Sequence, residues 1–434
     1  MRTLKVNKIS FSKAKSFFAN QKKQIKVKNI GQKVKKIISN IQKKGDKELI
    51  RISNAIDGTK FSSISEASFS KGDFKKSFEK LDKNTQRNLK FLKKRILDFH
   101  KKIKIRDFKI SDQVFSTLGQ IHKPIEKIGI YAPGGKAVYP SSVLMTALIA
   151  KVVGCKKINL FFPSSSDFAR DLMLASAHVA DIDKAFNFGG AQAIAAMAYG
   201  TETIEKSDKI FGPGNSFVAE AKRQVFGDVG IDSFAGPSEV LIISDEEDSS
   251  KEIAADLIAQ AEHGEDSKCI FIQVGKKGLN KLINNIENLL KDAPRKEIIR
   301  KSLEKNSQFI QVSSFDQALE INNLIAPEHL QIIVKNFKES WLKKISAGAI
   351  FLGKHNSAVL GDYAAGPSHV IPTNSAARFS SPVSVEDFLV RSSISSIKSI
   401  KNKEKYNELL DSSIYMAELE GLYGHATALK LRRK

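Results

Sequence analysis

Hydrophobic positions change their spacing part-way along this chain. Up to about residue 110 they recur at helical intervals. Val34, Ile37, Ile38 and Ile41 make one amphipathic stripe, and Leu89, Phe91, Leu92 and Ile96 make another. Between them Phe74, Phe78 and Leu81 fall at i, i+4 and i+7, the spacing of core contacts on one helical face. From about Ile121 short apolar runs alternate with helical patterns. Residues 125–131, 157–162, 184–188 and 209–211 read as strands, with helices at 143–153, 167–180 and 193–199 between them. The alternation continues with strands at 240–244, 269–274, 309–312, 331–334 and 349–352, and helices opening at Ser249 and spanning 279–290 and 315–325. Residues 386–390 read as helical, 403–419 as a helix, and the end of the chain as a short basic helix to Lys434. This order predicts an α/β fold with parallel sheet and helices on its faces.

The loops of that pattern hold the candidate chemistry. Ala132-Pro133-Gly134-Gly135, Gly189-Gly190-Ala191-Gln192 and Gly212-Pro213-Gly214-Asn215 each follow a strand and precede a helix. Parallel sheets bind ligands at such places, often phosphates at helix N-termini. No G-x-G-x-x-G is present, so spacing alone leaves ordinary tight turns and ligand loops equally open. The stretch 236–267 is a strand, an acidic link and a helix. Ser249 and Glu252 have capping-box spacing. Ile253, Ala254, Leu257, Ile258 and Ala261 share one face, and Gln260 and His263 come together at the end, before Gly264. An amide and an imidazole on one helix end make a ligand platform, or a solvated terminus whose His suits the dipole.

Glu328 and His329 open another strand and could supply a base and a proton shuttle. Neighbours on a strand point to opposite faces, so a shared site requires a turn there. Asp362 and His369 fall in a small-residue segment, 356–373, that reads as a loop, and Glu420 and His425 fall near the C-terminus. Gln260, His263, Asp362 and His425 together would be a four-ligand N/O set for a borderline metal such as zinc. Their separation along the chain leaves convergence undecided.

Composition changes the picture little. At 434 residues and 41% hydrophobic the chain is globular and long enough for more than one domain. The net charge of +23 lies wholly in the first 110 residues, which hold 32 Lys and Arg against 9 Asp and Glu, while the rest holds 38 of each. The excess is Lys-rich helical surface without interleaved aromatics or a recognisable module, which argues against specific nucleic-acid binding. Cys155 and Cys269 show neither disulfide nor metal spacing, and no stretch has membrane-spanning length or a leader's apolar core. A cytoplasmic protein is expected.

The ordered motifs YAPGGKAVYPSS at 131–142, GGAQAIAAMAYGTE at 189–202, DKIFGPGN at 208–215, EAKRQVFGDVGIDSFAGPSEVLI at 220–242, QAEH at 260–263, IAPEHL at 325–330, GDYAAGPSHVIPT at 361–373 and EGLYGHA at 420–426 closely resemble histidinol dehydrogenases. The resemblance runs from about Ile125 to Leu431. It implies oxidation of L-histidinol to L-histidine through the aldehyde, in two hydride transfers to NAD, with one zinc per site. By position it assigns zinc to Gln260, His263, Asp362 and His425. It assigns substrate to those four residues and to Ser238, His329, His369 and Glu420, and NAD to Tyr131, Gln192 and Asn215. Glu328 becomes the residue that activates water, with His329 as acid–base partner. Ser368 stands where many relatives carry Asn.

The implied architecture is two incomplete Rossmann-like α/β domains with helices on both sheet faces, a mostly helical N-terminal segment and a small C-terminal tail domain. The expected divisions are 1–128 with 238–380, then 129–237 on the NAD side, and 381–434 as a helical tail. The family implies an intertwined homodimer in which the tail carries Glu420 and His425 to the partner's site. Rival classes are a basic nucleic-acid binder and a related zinc- and NAD-dependent dehydrogenase of another amino alcohol or a sulfonated one. The joint presence of Glu328-His329 and Glu420 favours histidinol.

Overall fold

The computed structural model describes residues 4–20, 28–134, 138–164, 166–234, 236–275 and 278–433. Gly135, in the first Gly-rich loop, lies outside them, as does Lys434, the expected end of the basic helix. Residues up to Ile103 together with Ile125–Phe388 form one compact unit, and Lys104–Pro124 with Leu389 onward form another.

The first unit opens with β1 (Asn7–Ser10), α1 (Phe11–Ala19), α2 (Lys28–Asp57), β2 (Ser68–Phe69), α3 (Lys71–Lys80) and α4 (Lys83–Lys102). In the second unit the chain forms β3 (Phe108–Ile110) and β4 (Thr117–Pro124). Back in the first unit come β5 (Lys127–Tyr131), α5 (Pro140–Val153), β6 (Lys157–Phe161), α6 (Asp167–Val179), β7 (Lys184–Phe186), α7 (Gly190–Tyr199), β8 (Lys209–Phe211), α8 (Ser216–Val225) and β9 (Gly230–Ile231). A second run follows with β10 (Glu239–Ser244), α9 (Ser250–Ala261), β11 (Lys268–Val274), α10 (Leu279–Leu290), α11 (Lys296–Lys305), β12 (Gln308–Val312), α12 (Phe315–Ile325), β13 (His329–Ile333), β14 (Ala349–Leu352) and α13 (Ala358–Tyr363). The chain ends in the second unit with β15 (Leu389–Ser396), α14 (Lys403–Leu419) and α15 (Tyr423–Lys430).

The first sheet has the order β2-β7-β6-β5-β8-β9, parallel except for β2 against β7. The chain steps outward through β5, β6 and β7, then crosses back to lay β8 on the other side of β5. The second sheet, β1-β12-β11-β10-β13-β14, is parallel throughout and repeats the move: β10, β11 and β12 step one way, and β13 returns beside β10. Each sheet therefore has a point where strand order reverses, the feature of doubly wound α/β folds.

The second sheet is covered on both faces. Val240, Ile242, Phe271, Phe309 and Ile333 pack with α9, α10 and α11, while Leu241, Ile243, Ile270, Ile272 and Ile332 pack with α1 and α12. Burial of both faces is why β10 reads as an unbroken apolar run instead of an alternation. In the first sheet Tyr131, Phe161, Phe186 and Ile210 lie under α2, α7 and α8.

Several expectations are corrected. Ser249 does cap α9, but the box with Glu252 does not form; its hydroxyl donates to Glu246 at 3.1 Å instead. Asp362 sits on the short helix α13, whose N-cap Ser357 accepts from the Val359 amide, not in a loop. The segment 386–390 is not helical throughout: a 3₁₀ turn, Val385–Phe388, gives way to β15. β15, β4 and β3 form an antiparallel sheet that went unread, because β4 and β15 are exposed or half-buried along their length and so carry no buried apolar face. In that second unit α14 and α15 pack through Tyr406, Leu410, Ile414, Ala417 and Ala426.

Candidate active site

The chain turns into β13 through Ala326, whose φ of 46° is left-handed. That turn is what lets Glu328 and His329 share a site although they are neighbours. Both are 6% exposed, and His329 Nδ1 lies 3.5 Å from a Glu328 oxygen. The same carboxylate accepts the Glu239 amide at 2.9 Å, which ties the start of β13 to the start of β10. Val240 is paired with His329 in the sheet, so Ser238 and Glu239 stand at the same edge.

His329 faces a second carboxylate on its other side. Its Nε2 is 3.6 Å from Asp362 Oδ1, and Phe351 stacks along the ring with centroids 6.0 Å apart. Burial alone would push the imidazole down, but the charges and contacts of Glu328 and Asp362 outweigh it and hold its pKa up at about 10. Burial likewise pulls Asp362 up, and His329, with the more distant charges of His369 and His263, more than offsets it, so the carboxyl ends below its usual range.

His369 joins this cluster from the segment after α13. Its Nδ1 is 2.9 Å from the Asp362 carbonyl and its Nε2 is 3.1 Å from Ser142 Oγ at the start of α5. Burial holds its pKa below the ordinary value. Ser368 beside it is buried, and its hydroxyl accepts the Val370 amide. Gln260 is 8% exposed at the end of α9, and its side-chain nitrogen has no hydrogen-bond partner. His263 follows two residues after the helix and is exposed. Helix α9 ends at Ala261 with Glu262 as its C-cap, so Gly264 is not the left-handed stop that its position suggested.

The residues expected to meet NAD lie at the carboxyl edge of the first sheet. Tyr131 ends β5, Gln192 is in the first turn of α7, and Asn215 is the N-cap of α8. β5 and β8 are the strands on either side of the reversal in strand order. Tyr131 is 3% exposed and its hydroxyl accepts the Gly190 amide at 3.2 Å; burial raises its pKa to about 12. Gln192 donates to Asp57 at 3.0 Å, and Asn215 Oδ1 accepts the Phe217 and Val218 amides.

Glu420 and His425 belong to the second unit. Glu420 is the C-cap of α14 and His425 is on α15. Both are exposed and line a groove of about 840 Å³ with Leu409, Met416 and Leu422. Among the described residues, no three His, Cys, Asp or Glu side chains of one chain form a metal-holding group. Sequence reasoning missed Glu239, Phe351, Asp57 and Ser142. Glu239 had a signal, as a charged residue opening a fully apolar strand; the others had none.

A doubly wound pair of sheets, with buried Glu328 and His329 meeting half-buried Asp362 at one edge and Gly-rich βα loops at another, defines a Rossmann-like α/β enzyme. Residues 20–433 match the histidinol dehydrogenase family model. The histidinol dehydrogenases of Neisseria meningitidis serogroup A and Clostridium acetobutylicum are each 43% identical to it, over 92% of this chain and 92% of theirs. The crystal structure of histidinol dehydrogenase from Elizabethkingia anophelis superposes with a TM-score of 0.90 at 34% identity, covering 100% of this chain and 99% of that one. The chain belongs to the histidinol dehydrogenase family, oxidoreductases of histidine biosynthesis.

Proposed function

We propose that the chain oxidises L-histidinol to L-histidine through L-histidinaldehyde, in two hydride transfers to NAD, with one zinc ion per subunit. The observation that carries this reading is His329 held between Glu328 and Asp362 at a buried edge. An alcohol releases hydride only as its proton leaves, and His329 is the group placed to take that proton once a bound cation draws on the Asp362 charge that helps keep the ring protonated. The aldehyde must then add water before a second hydride can go. Glu328, a buried carboxylate beside the same imidazole, takes a proton from that water, and His329 supplies or removes the one on the aldehyde oxygen.

Zinc suits the donor set. The Gln260 side-chain nitrogen finds no partner among the described residues, so no hydrogen bond of that nitrogen holds the buried amide back from turning its oxygen to an ion, and the charges of the His263 and His369 imidazoles act on Asp362. Gln260, His263 and Asp362 would hold the ion with His425, which the tail of a second copy would bring; Glu420 would meet substrate by the same route. Exposed Tyr415, Met416, Leu419 and Tyr423 on α14 and α15 support a partner-facing tail. Bound there, zinc would orient the substrate imidazole and amine and draw on the Asp362 charge that raises His329. Ser238, His329 and His369 complete the substrate contacts, and Tyr131, Gln192 and Asn215 those with NAD. Two buried, unpaired cysteines fit a reducing cytoplasm.

The test is NADH formed per histidinol consumed, with and without a zinc chelator. A ratio of two, abolished by chelation and restored by zinc, is expected. A ratio of one refutes the hydration step, and chelator-insensitive turnover refutes the zinc. No turnover of histidinol, with oxidation of another amino alcohol, refutes the substrate.

A further inference from the structure

Three elements carry the proposed site from this unit: α9 with Gln260 and His263, β13 with His329, and α13 with Asp362. They meet at a single carboxylate. Asp256 accepts the Gln331 side-chain amide at 2.8 Å on one oxygen and the Ser357 hydroxyl at 2.6 Å on the other. Gln331 is 1% exposed, and its carbonyl oxygen accepts the Ala358 amide at 3.5 Å.

The spacing of these partners is specific. Asp256 precedes Gln260 by four residues, so the two share one face of α9. Gln331 follows His329 by two residues and points to the same side of β13. Ser357 is the N-cap of α13, and Asp362 lies on that helix. Each element thus sends one side chain to the site and another to Asp256. Burial pulls the Asp256 carboxyl upward, while the Ser357 and Gln331 hydrogen bonds oppose it.

We infer that Asp256 is a positioning residue which fixes α9, β13 and α13 in register, so that Gln260, His329 and Asp362 meet one ligand at one place. The inference rests on the zinc and histidinol reading above. Outer partners of this kind change metal affinity by about 10- to 100-fold when removed.

The experiment compares wild type, Asp256→Ala, Ser357→Ala and the pair Asp256→Asn with Gln331→Glu. The last exchanges donor and acceptor across one hydrogen bond. Zinc affinity is read by chelator competition, and the visible spectrum of Co²⁺-loaded protein reports ligand geometry without turnover. Asp256→Ala is expected to lose zinc affinity by about 10- to 100-fold. It is also expected to alter the cobalt spectrum and to raise KM for histidinol while KM for NAD stays put. Ser357→Ala, which removes one hydroxyl and keeps the fold, should move the same readouts less, and the exchanged pair should recover part of the loss. Tight zinc in the wild type with unchanged affinity and spectrum in Asp256→Ala and Ser357→Ala overturns the inference, even if thermal stability falls. A wild type that binds no zinc overturns the metal reading beneath it instead.

Discussion

Replacing Lys222 by Met tests how the Gly212 loop, proposed to face NAD, is held. Lys222 and Asp232 are 2% and 1% exposed at their side chains and form an ion pair. Together they grip one glycine from both sides: Lys222 Nζ donates to the Gly212 carbonyl at 3.1 Å, and the Gly212 amide donates to Asp232 at 2.7 Å. Gly212 has φ of 113°, and a Cβ there would strike the Tyr131 carbonyl, so no other residue can be pinned in that place. Lys222→Met leaves Asp232 buried without its cation, and breaking such a pair from one side costs about 3–5 kcal/mol. Adding Asp232→Leu removes the stranded charge and recovers much of the loss. The Gly212 amide and carbonyl then lack partners, each costing about 1–3 kcal/mol, so the double variant stays below wild type. Urea unfolding measures the stability. Because Gly212 begins the loop that ends at Asn215, KM for NAD should rise in both variants while KM for histidinol moves little. A single variant within about 1 kcal/mol of wild type, below the range for a broken buried pair, would refute the reasoning.

Glu328→Gln should keep zinc and substrate binding but lose aldehyde oxidation most, so that NADH per histidinol falls from two toward one; equal loss of both steps, or loss of zinc, counts against the assignment. Gly361→Ala places a Cβ 2.5 Å from the Phe351 ring that stacks on His329, so α13 must shift and carry Asp362 with it. The expected cost is about 1–3 kcal/mol of stability with a raised KM for histidinol, and an unchanged KM would show that α13 adjusts without moving its carboxylate. His100 is 1% exposed on α4, and burial lowers its pKa from 6.5 to about 4. The unfolded chain then binds the proton more readily, so the full stability is present above pH 6.5. It drains away as pH falls toward 4, by up to about 3 kcal/mol. His100→Phe should flatten that part of the stability–pH profile, and an unaltered slope would place the acid sensitivity elsewhere.

Most strands of the two sheets could be read from the chain, best where both faces are buried: β10 declares itself as an apolar run. Strand order could not, since the crossing from β7 back to β8 leaves no mark on composition. β1 was hidden for another reason. Asn7, Lys8, Ile9 and Ser10 pair with β12 as an exposed edge, where nothing requires an apolar pattern. At the site, residue types were visible and partnerships were not. Glu328 and His329 stood adjacent in the sequence, but the Glu239 amide that fixes the carboxylate comes from 89 residues away. Asp57, likewise, meets Gln192 across 135 residues of chain. The family resemblance names the expected ligands, whereas the bonds around those residues, such as those of Asp256, come only from the fold.

Strand direction gives the two similar sheets different edges for the two ligands proposed above. In that proposal the first sheet is used at its carboxyl edge, where α7 and α8 begin. Their N-termini carry the positive end of the helix dipole, which suits the phosphates of a dinucleotide. The second sheet is used at its amino edge, where β10 and β13 begin and where α9, running back along the sheet, ends. A helix C-terminus is electronegative and favours cations. Gln260 and His263 sit on that end, with Asp362, Glu328 and Glu239 nearby. The proposed anionic cofactor and the proposed amine beside a metal ion would therefore need no difference in fold between the two halves. They need the same winding used from opposite ends.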